Sequence, residues 1–315
     1  MAPILIIVNP AAGRSRVQSL WPGVERYLLD AGVAFDSVAT RAPLEATGLA
    51  RNAAAKYEAV VGVGGDGTMN EIANGLLQAS GEQETMPMGM IPLGNGDDFA
   101  KVLPPEAPIG GECFDWRAAV QKIARRESRL YDAGRMRAGE ANADPREGVR
   151  YFLNCADVGF GAHTVRNFAG VPDFLTGYPA YLAAVLKTMV DYPSLRLRIQ
   201  LDDAPAFQQI TTLTAVANGR CFGSGFWVCP DALPDDGLFD VMVAQQVGRR
   251  TILRLLPKIR RGRHTGDPAV AMHRARRVVL ESGEAFLVEA DGEMPFQPTR
   301  RLELEILSGK LRVIV

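Results

Sequence analysis

Short apolar runs alternate with longer amphipathic stretches over residues 1–127. The apolar runs have the length of strands and cover residues 4–8, 34–39, 59–63 and 86–91. The amphipathic stretches have the spacing of helices and cover residues 15–31, 45–56, 69–77 and 115–125. Strands that alternate with helices form a mostly parallel sheet covered on both faces. The pattern therefore predicts an α/β domain over residues 1–127.

From residue 128 onward the pattern becomes one of strands. They are predicted at residues 130–137, 150–159, 195–202, 210–218, 238–244, 277–281, 285–289 and 302–306. Two helices interrupt them, at 178–190 and 251–261, and residues 137–148 are typical of a hairpin loop. This predicts a mainly β sandwich domain over residues 128–315. The last strand is a candidate to return to the first domain.

Composition indicates a soluble globular protein with two cores. The chain has 315 residues, 47% of them hydrophobic and 23% charged, and a formal net charge of -1. That balance gives no overall attraction to nucleic acid, so no nucleic-acid partner is expected. No apolar run approaches the roughly 20 residues of a membrane-spanning helix, and the N-terminus lacks the pattern of a signal peptide. The four cysteines form no C-x-x-C pair, which favours idle thiols in the reducing cytoplasm.

A glycine-rich turn follows the third strand, in the sequence Gly64-Gly65-Asp66-Gly67-Thr68, and leads directly into a helix. Glycines let backbone N–H groups approach an anion, and the helix N-terminus adds partial positive charge. We interpret this segment as a phosphate cradle, with a tight turn that binds nothing as the alternative. The match of Gly62, Gly64 and Gly67 to G-x-G-x-x-G is weak, because the next strand runs into Pro92 without the expected ribose-binding acid. Walker A and protein-kinase motifs are absent.

Four segments in order resemble the diacylglycerol kinase catalytic family, which includes bacterial lipid kinases, sphingosine kinases and ceramide kinases. They are Asn9-Pro10-Ala11-Ala12-Gly13, Gly64-Gly65-Asp66-Gly67-Thr68, Pro92-Leu93-Gly94-Asn95-Gly96-Asp97-Asp98-Phe99-Ala100 and Asp291-Gly292-Glu293. Residues 154–161, 217–219 and 230–240 also resemble family segments, so the likeness covers essentially the whole chain. It implies a Rossmann-like first domain of the phosphofructokinase and NAD kinase type. It also implies a Mg²⁺-dependent kinase that transfers the γ-phosphoryl group of ATP to diacylglycerol or a similar lipid alcohol.

The resemblance implies that the nucleotide lies across the first-domain loops. The residues that this assigns to it are Asn9, Pro10, Gly13, Thr40, Gly64, Gly65, Asp66, Gly67, Thr68, Glu71, Gly94 and Asn95. Glu71 can equally be an acid that favours the N-terminus of its helix.

Two positions depart from the family pattern, which usually has Thr and Asn where this chain has Asn95 and Asp97. Asp97 either takes part in metal binding or marks an altered substrate. A solvated pair at a helix N-terminus is the alternative for Asp97 and Asp98.

Phosphoryl transfer to an alcohol needs a carboxylate to accept the hydroxyl proton and Mg²⁺ to neutralise charge. The resemblance assigns the base to Asp291, with Glu293 as a metal or hydrogen-bonding neighbour, and a simple turn aspartate is the alternative. Asp66 and Asp98 would hold Mg²⁺ opposite it, directly or through water.

A second, structural Mg²⁺ is implied by the loop 230–238. The matching ligands are the carboxylate of Asp236 and the carbonyl groups of Leu233 and Leu238. The alternative is a plain hairpin turn.

Contact with a lipid is expected at the membrane surface, as a transient association of a cytoplasmic protein. The basic amphipathic segment 249–263 is a candidate for binding anionic headgroups, unless its apolar face packs on the β domain. The segments 160–175 and 222–227 are expected to be loops, and their aromatic residues could admit an acyl chain unless they belong to the core. A homodimer fits the resemblance.

Two other functions stay open from the sequence. A kinase of a soluble substrate, such as NAD kinase or phosphofructokinase, shares the Gly-Gly-Asp-Gly core. A catalytically silent nucleotide-binding or lipid-binding protein is compatible with the changes at Asn95 and Asp97, although the retained Asp291 argues against it.

Overall fold

The chain divides into two compact units. The computed structural model describes residues 3–103, 115–139, 148–172, 175, 177–190, 192 and 194–315. Unit 1 comprises Met1–Ala133 and Ser308–Val315, and unit 2 comprises Gly134–Leu307. The end of the last strand therefore belongs to unit 1.

Unit 1 is built on a parallel sheet. Its strands are β1 (Ile4–Val8), β2 (Phe35–Ala39), β3 (Ala59–Gly64), β4 (Met88–Pro92) and the end of β14 (Thr299–Ile314). They lie in the order β2-β1-β3-β4-β14, and every pair among them is parallel. All residues of β1 and β3 are buried, as expected for strands with both faces covered.

Five helices lie in the described part of unit 1. They are α1 (Ala12–Asp30), α2 (Glu45–Arg51), α3 (Asp66–Ser80), α4 (Asp98–Lys101) and α5 (Trp116–Arg125). One core contains Ile4 and Ile6 of β1 together with Val24 of α1 and Val120 of α5. The confirmed α/β architecture differs from the prediction at residues 45–56, where α2 ends at Arg51 and a short 3₁₀ turn, Ala53–Ala55, follows. The short helix α4 was not predicted.

Helices α2 and α3 approach closely at Gly75. A Cβ added there would lie 2.3 Å from the carbonyl oxygen of Thr47 and 2.9 Å from the backbone N of Arg51. By contrast, a Cβ added at Gly48 on α2 would meet no atom within 4 Å.

Gly75→Ala is therefore expected to lower the free energy of unfolding by about 1–3 kcal/mol, because the two helices must separate. Gly48→Ala, the matched control, is expected to raise it by about 0.5–1 kcal/mol through better helix propensity. Denaturant titrations of both variants measure this, and equal effects would contradict the close approach of α2 and α3.

Eight strand pairs of unit 2 have a described register, and all eight are antiparallel. Its strands are β5 (Ser128–Ala138, which begins in unit 1), β6 (Val149–Phe152), β7 (Cys155–Gly159), β8 (Leu195–Leu201), β9 (Phe207–Ala217), β10 (Phe239–Gln245), β11 (Val270–Ala275), β12 (Arg277–Phe286), β13 (Val288–Ala290) and the first part of β14. The order is β11-β10-β9-β8-β12-β14, with β7 between β9 and β13 and with β5 pairing β14 and β6. This confirms the mainly β second domain. The strand β11 was not predicted.

The described residues of unit 2 include three helices: α6 (Phe160–Phe168), α7 (Gly177–Thr188) and α8 (Arg249–Ile259). The expectation of a loop over 160–175 is wrong for its first nine residues, which form α6. The carboxylate of Asp157 starts this helix by accepting a hydrogen bond from the Ala162 backbone N at 2.8 Å. The aromatic side chains of Phe222, Phe226 and Trp227 are buried, which favours the core-packing alternative for the segment 222–227.

The single strand predicted over residues 150–159 is two strands. Between β6 and β7 the backbone N–H groups of Leu153 and Asn154 turn toward the side chain of Asp291. Because these N–H groups bond to a side chain, they cannot also bond to a neighbouring strand, and the strand is interrupted there. The predicted hairpin loop 137–148 lies largely outside the described residues.

None of the described helices is long and apolar enough to cross a membrane. Cys155, Cys221 and Cys229 are buried free thiols.

Candidate active site

Three loops follow the carboxyl ends of the neighbouring strands β1, β3 and β4. We define them as loop A (residues 9–13), loop B (residues 64–68) and loop C (residues 92–98). Carboxyl ends of parallel strands lie at one edge of a sheet, where α/β proteins bind their ligands. The loops that the sequence singled out are therefore neighbours in unit 1.

Hydrogen bonds join the three loops. The side-chain amide of Asn9 donates to Thr68 Oγ1 at 3.0 Å, which links loop A to loop B. The backbone N of Leu93 donates to the carbonyl oxygen of Gly64 at 2.9 Å, which links loop C to loop B. Asn9 also accepts a hydrogen bond from the backbone N of Ala11 at 3.1 Å, so its side chain is held in place on both sides.

Glycines allow the loops to touch. A Cβ at Gly13 would lie 2.4 Å from the Leu93 carbonyl oxygen, and a Cβ at Gly94 would lie 2.5 Å from the Cα of Gly65. Gly13 has a φ of 59°, and it is followed by the left-handed residues Arg14 and Ser15. Left-handed backbone at non-glycine residues is strained and is enriched at ligand sites.

A cavity of about 320 Å³ opens at loops A and B, within the usual size range of ligand pockets. Five residues predicted for the nucleotide line it: Asn9, Pro10, Thr40, Thr68 and Glu71. Arg41, which the sequence reasoning missed, also lines it. Its position directly after Thr40, at the carboxyl end of β2, was the available signal. The structure thus brings a cation and several hydrogen-bonding groups to one pocket of unit 1.

The Glu71 side chain is bonded to α2 and not to the N-terminus of its own helix, α3. Its Oε2 accepts a hydrogen bond from the backbone N of Ala46 at 3.1 Å, near the start of α2. The hydroxyl group of Thr47 donates to the Glu71 carbonyl oxygen at 3.0 Å. Glu71 therefore anchors α2 at the pocket wall.

Three carboxylates lie where loop B meets loop C. Asp66 Oδ1 accepts a hydrogen bond from the Phe99 backbone N at 2.9 Å, and Asp97 Oδ1 accepts one from the Gly94 backbone N at 3.0 Å. Burial raises the pKa of Asp66 to about 7, and the negative charges of Asp98 and Asp97 add to the effect. Burial likewise raises the pKa of Asp97 to about 6. Asp97 is thus a half-buried loop carboxylate, not a solvated one.

The donor chemistry of this cluster fits Mg²⁺. Carboxylate oxygens are its preferred protein ligands, and a divalent cation would offset the repulsion between Asp66 and its neighbours. Asp98 is buried and forms an ion pair with Lys101 at 2.7 Å. Among the described residues no set of three or more His, Cys, Asp or Glu side chains forms a complete metal site. Mg²⁺ commonly takes one or two carboxylates and completes its shell with phosphates and water.

Asp291 lies in a tight turn of unit 2, after β13. Its carboxylate accepts hydrogen bonds from three consecutive backbone N–H groups: Leu153 at 2.7 Å, Asn154 at 2.9 Å and Cys155 at 3.2 Å. Asp291 has a φ of 49° and is 9% exposed. Glu293 is exposed and closes the turn through backbone hydrogen bonds with Ala290 at 2.9 and 3.0 Å. The three hydrogen bonds therefore fix the orientation of the carboxylate.

Family comparison accounts for both parts of the chain. Residues 3–136 match the diacylglycerol kinase catalytic domain. Residues 156–315 match the YegS C-terminal NAD kinase beta sandwich-like domain. The chain belongs to the diacylglycerol kinase family. It is a lipid kinase, and its family uses ATP as the phosphoryl donor.

Relatives of this lipid kinase match over nearly their whole length. The diacylglycerol kinase of Bacillus subtilis is 29% identical over 291 residues, which cover 91% of this chain and 88% of the relative. A crystal structure of a Bacillus anthracis diacylglycerol kinase covers 99% of this chain and 96% of its own, with a TM-score of 0.68 and 19% identity. Yeast NADH kinase in complex with NADH covers 100% of this chain and 83% of its own, with a TM-score of 0.50 and 11% identity. The two structures show the shared fold.

In the loop predicted to bind a structural Mg²⁺, the carboxylate of Asp236 forms an ion pair with an arginine of β11. Asp236 contacts the guanidinium group of Arg274, whose Nε also lies 3.6 Å from Asp240. Asp236 Oδ1 accepts a hydrogen bond from the Leu238 backbone N at 3.0 Å. Leu233 is exposed. A Mg²⁺ ion at Asp236 would have to displace Arg274. The structural Mg²⁺ therefore stays a prediction. Melting curves of the wild type and Asp236→Ala, each with and without Mg²⁺, test it.

The basic helix α8 of the kinase has much of its charge paired. Arg254 and Lys258 each lie 3.1 Å from a carboxylate oxygen of Asp267. Ile252 belongs to a buried cluster, so part of the apolar face packs inside unit 2. Arg250 is exposed.

Two carboxylates of the kinase were missed by the sequence reasoning. Asp157 and Glu289 are buried beneath the Asp291 turn. An acidic residue inside an otherwise apolar strand was the signal for each, because such a group is seldom buried without a partner.

Proposed function

We propose that this lipid kinase transfers the γ-phosphoryl group of ATP to the hydroxyl group of diacylglycerol or a similar lipid alcohol, with Asp291 as the general base. The observation that carries the proposal is the pocket at loops A and B. In it Asn9, Thr40, Thr68 and Glu71 gather at the sheet edge where such proteins bind ligands.

The proposed step is a direct displacement. The alcohol oxygen forms a bond to the γ-phosphorus as the bond from that phosphorus to the oxygen bridging the β- and γ-phosphates breaks, and ADP leaves with the bond's electrons. Asp291 accepts the proton of the alcohol, and its three amide donors keep the carboxylate pointed in one direction. Loops A and B hold the phosphates through backbone N–H groups and the N-terminus of α3. Bound Mg²⁺, held by Asp66 and Asp98, would neutralise the charge of the phosphates.

The test is transfer of labelled γ-phosphate from ATP to a panel of acceptors in mixed micelles. The panel contains diacylglycerol, phosphatidylglycerol, a sphingoid base, a polyprenol and, as the soluble rival, NAD. We expect Mg²⁺-dependent labelling of diacylglycerol or a related lipid and none of NAD. Labelled NAD would favour the soluble-substrate alternative. ATP binding without any labelled product would favour a silent binding protein.

We also propose that the kinase meets its substrate through transient contact with anionic membranes. Leu253 on α8 is 50% exposed, and the exposed Arg250 lies one turn before it. An apolar side chain beside a cation suits the interface of an anionic bilayer. Sedimentation with anionic and neutral vesicles measures this, and equal binding to both would contradict it.

A further inference from the structure

Two buried carboxylates face each other beneath the Asp291 turn. Asp157 on β7 and Glu289 on β13 are direct partners in the antiparallel register. Asp157 is 1% exposed and Glu289 is 0% exposed. Directly opposed residues of an antiparallel pair bring their side chains together on one face, and these two carboxyl groups lie within hydrogen-bonding reach.

Each carboxylate uses one oxygen for a backbone donor. Asp157 Oδ1 accepts from the Ala162 N at 2.8 Å, and Glu289 Oε1 accepts from the Gly292 N at 2.5 Å. The second oxygens, Asp157 Oδ2 and Glu289 Oε2, are buried, and no donor among the described residues bonds to them. No ion pair in the described part of the chain includes either side chain. A single proton between Asp157 Oδ2 and Glu289 Oε2 would give both oxygens a hydrogen bond.

Electrostatics supports the same picture. Burial raises the pKa of Glu289 well above its usual range, and the neighbouring Asp157 adds to the rise. Burial also raises the pKa of Asp157, to about 6. The other titratable groups on the adjoining segments are Cys155, Asp291 and, on α6, His163, whose ring contacts Arg166.

The Asp157–Glu289 pair connects the Asp291–Gly292 turn to the start of α6. Glu289 holds the N–H group of Gly292, the residue after Asp291, and Gly292 has a φ of 88°. Asp157 holds the start of α6. A Cβ at Gly161 would lie 2.1 Å from Asp157 Oδ2, so α6 covers the pair directly and excludes water.

We propose that Asp157 and Glu289 share a single proton and that the protonated pair positions the Asp291–Gly292 turn for phosphoryl transfer. Both are positioning residues, since they act through Asp291. The positioning part rests on the proposed role of Asp291, whereas the shared proton does not.

Infrared spectroscopy tests the shared proton directly. At neutral pH the wild type is expected to show a carbonyl band of protonated carboxyl groups that loses intensity in Glu289→Gln and in Asp157→Asn, because each amide replaces the proton donor of the pair. Glu284→Gln is the matched control, since Glu284 is exposed on β12, and it should leave the band unchanged. An unchanged band in Glu289→Gln would overturn the proposal.

Melting curves against pH give a second readout. The folded state holds the proton at a raised pKa, so its stabilising effect is present below the ordinary glutamate pKa of 4.5 and is lost as pH rises through the folded pKa. Glu289→Gln has no such proton to lose. Between pH 4.5 and the folded pKa of Glu289, the melting temperature of Glu289→Gln minus that of the wild type is therefore expected to increase. A difference that stays constant over this pH range would contradict the inference.

Activity tests the positioning role. Glu289→Ala removes the acceptor of the Gly292 N–H group and is expected to lower kcat on the order of 100-fold through misplacement of the turn, with the KM for ATP unchanged. Glu289→Gln should restore most of kcat. Equal kcat in the Ala and Gln variants would refute positioning. A wild type without lipid-kinase turnover would refute the proposed function, while the infrared and melting results would still decide the shared proton.

Discussion

Asp291→Asn is expected to lower kcat by about 10²- to 10⁴-fold, the usual contribution of a positioned general base. Asparagine adopts left-handed backbone as readily as aspartate, so the φ of 49° at this position causes no new strain. The substitution removes the negative charge and the proton acceptor. The labelled-phosphate assay with the best lipid acceptor measures the loss.

One structural effect of Asp291→Asn must be separated from the chemical one. Asp291 Oδ1 accepts two N–H groups and Oδ2 accepts that of Leu153, so the new amide group would face the Leu153 N–H group. Two opposed donors are expected to cost about 1–3 kcal/mol of stability. Activity is therefore compared below the variant's melting temperature, with ATP binding measured by calorimetry. Asp203→Asn, an exposed aspartate, is the control. A folded Asp291→Asn variant with unchanged kcat would remove Asp291 as the base.

Gly94→Ala is expected to weaken ATP binding on the order of 100-fold, because it pushes loop C against loop B, which we propose holds the phosphates. The new Cβ would lie 2.5 Å from the Cα of Gly65 and 2.6 Å from Asp97 Oδ1. Neither atom can move without shifting a loop: the first is backbone, and the second belongs to a side chain held by the Gly94 N–H group. Loop B would move away from loop C, and its N–H groups would lose their arrangement around the phosphates.

Calorimetric titration with ATP measures the change for Gly94→Ala. The overpacking is expected to lower the free energy of unfolding by about 1–3 kcal/mol, so folding is checked first by denaturation. Gly48→Ala, where the added Cβ meets no atom within 4 Å, should leave ATP affinity unchanged. Wild-type affinity in folded Gly94→Ala would show that the contact between loops B and C does not support the nucleotide.

The sequence predicted the elements that periodicity determines. The strand Ile4–Val8 and the strand–glycine-loop–helix segment leading into α3 appear at the expected places, because a fully buried strand needs a continuous apolar run and an anion-binding turn needs glycine. Loops A, B and C could be assigned to one sheet edge because parallel strands share their carboxyl ends.

Periodicity could not predict features that depend on a distant partner. The break between β6 and β7 exists because Asp291, more than 130 positions later, takes the N–H groups of Leu153, Asn154 and Cys155. Helix α6 begins where Asp157 accepts a hydrogen bond from Ala162. Neither partner is visible in a local window of sequence.

What the sequence by itself determined is the family, the α/β and β-rich units and the loop chemistry, since these follow from local patterns and from motifs in a fixed order. Only the tertiary structure decided which charges are paired. It placed Arg274 on Asp236, and it set Glu289 opposite Asp157. Charge pairing depends on distances across the fold and on burial, and both arise only when strands far apart in the chain are brought into register.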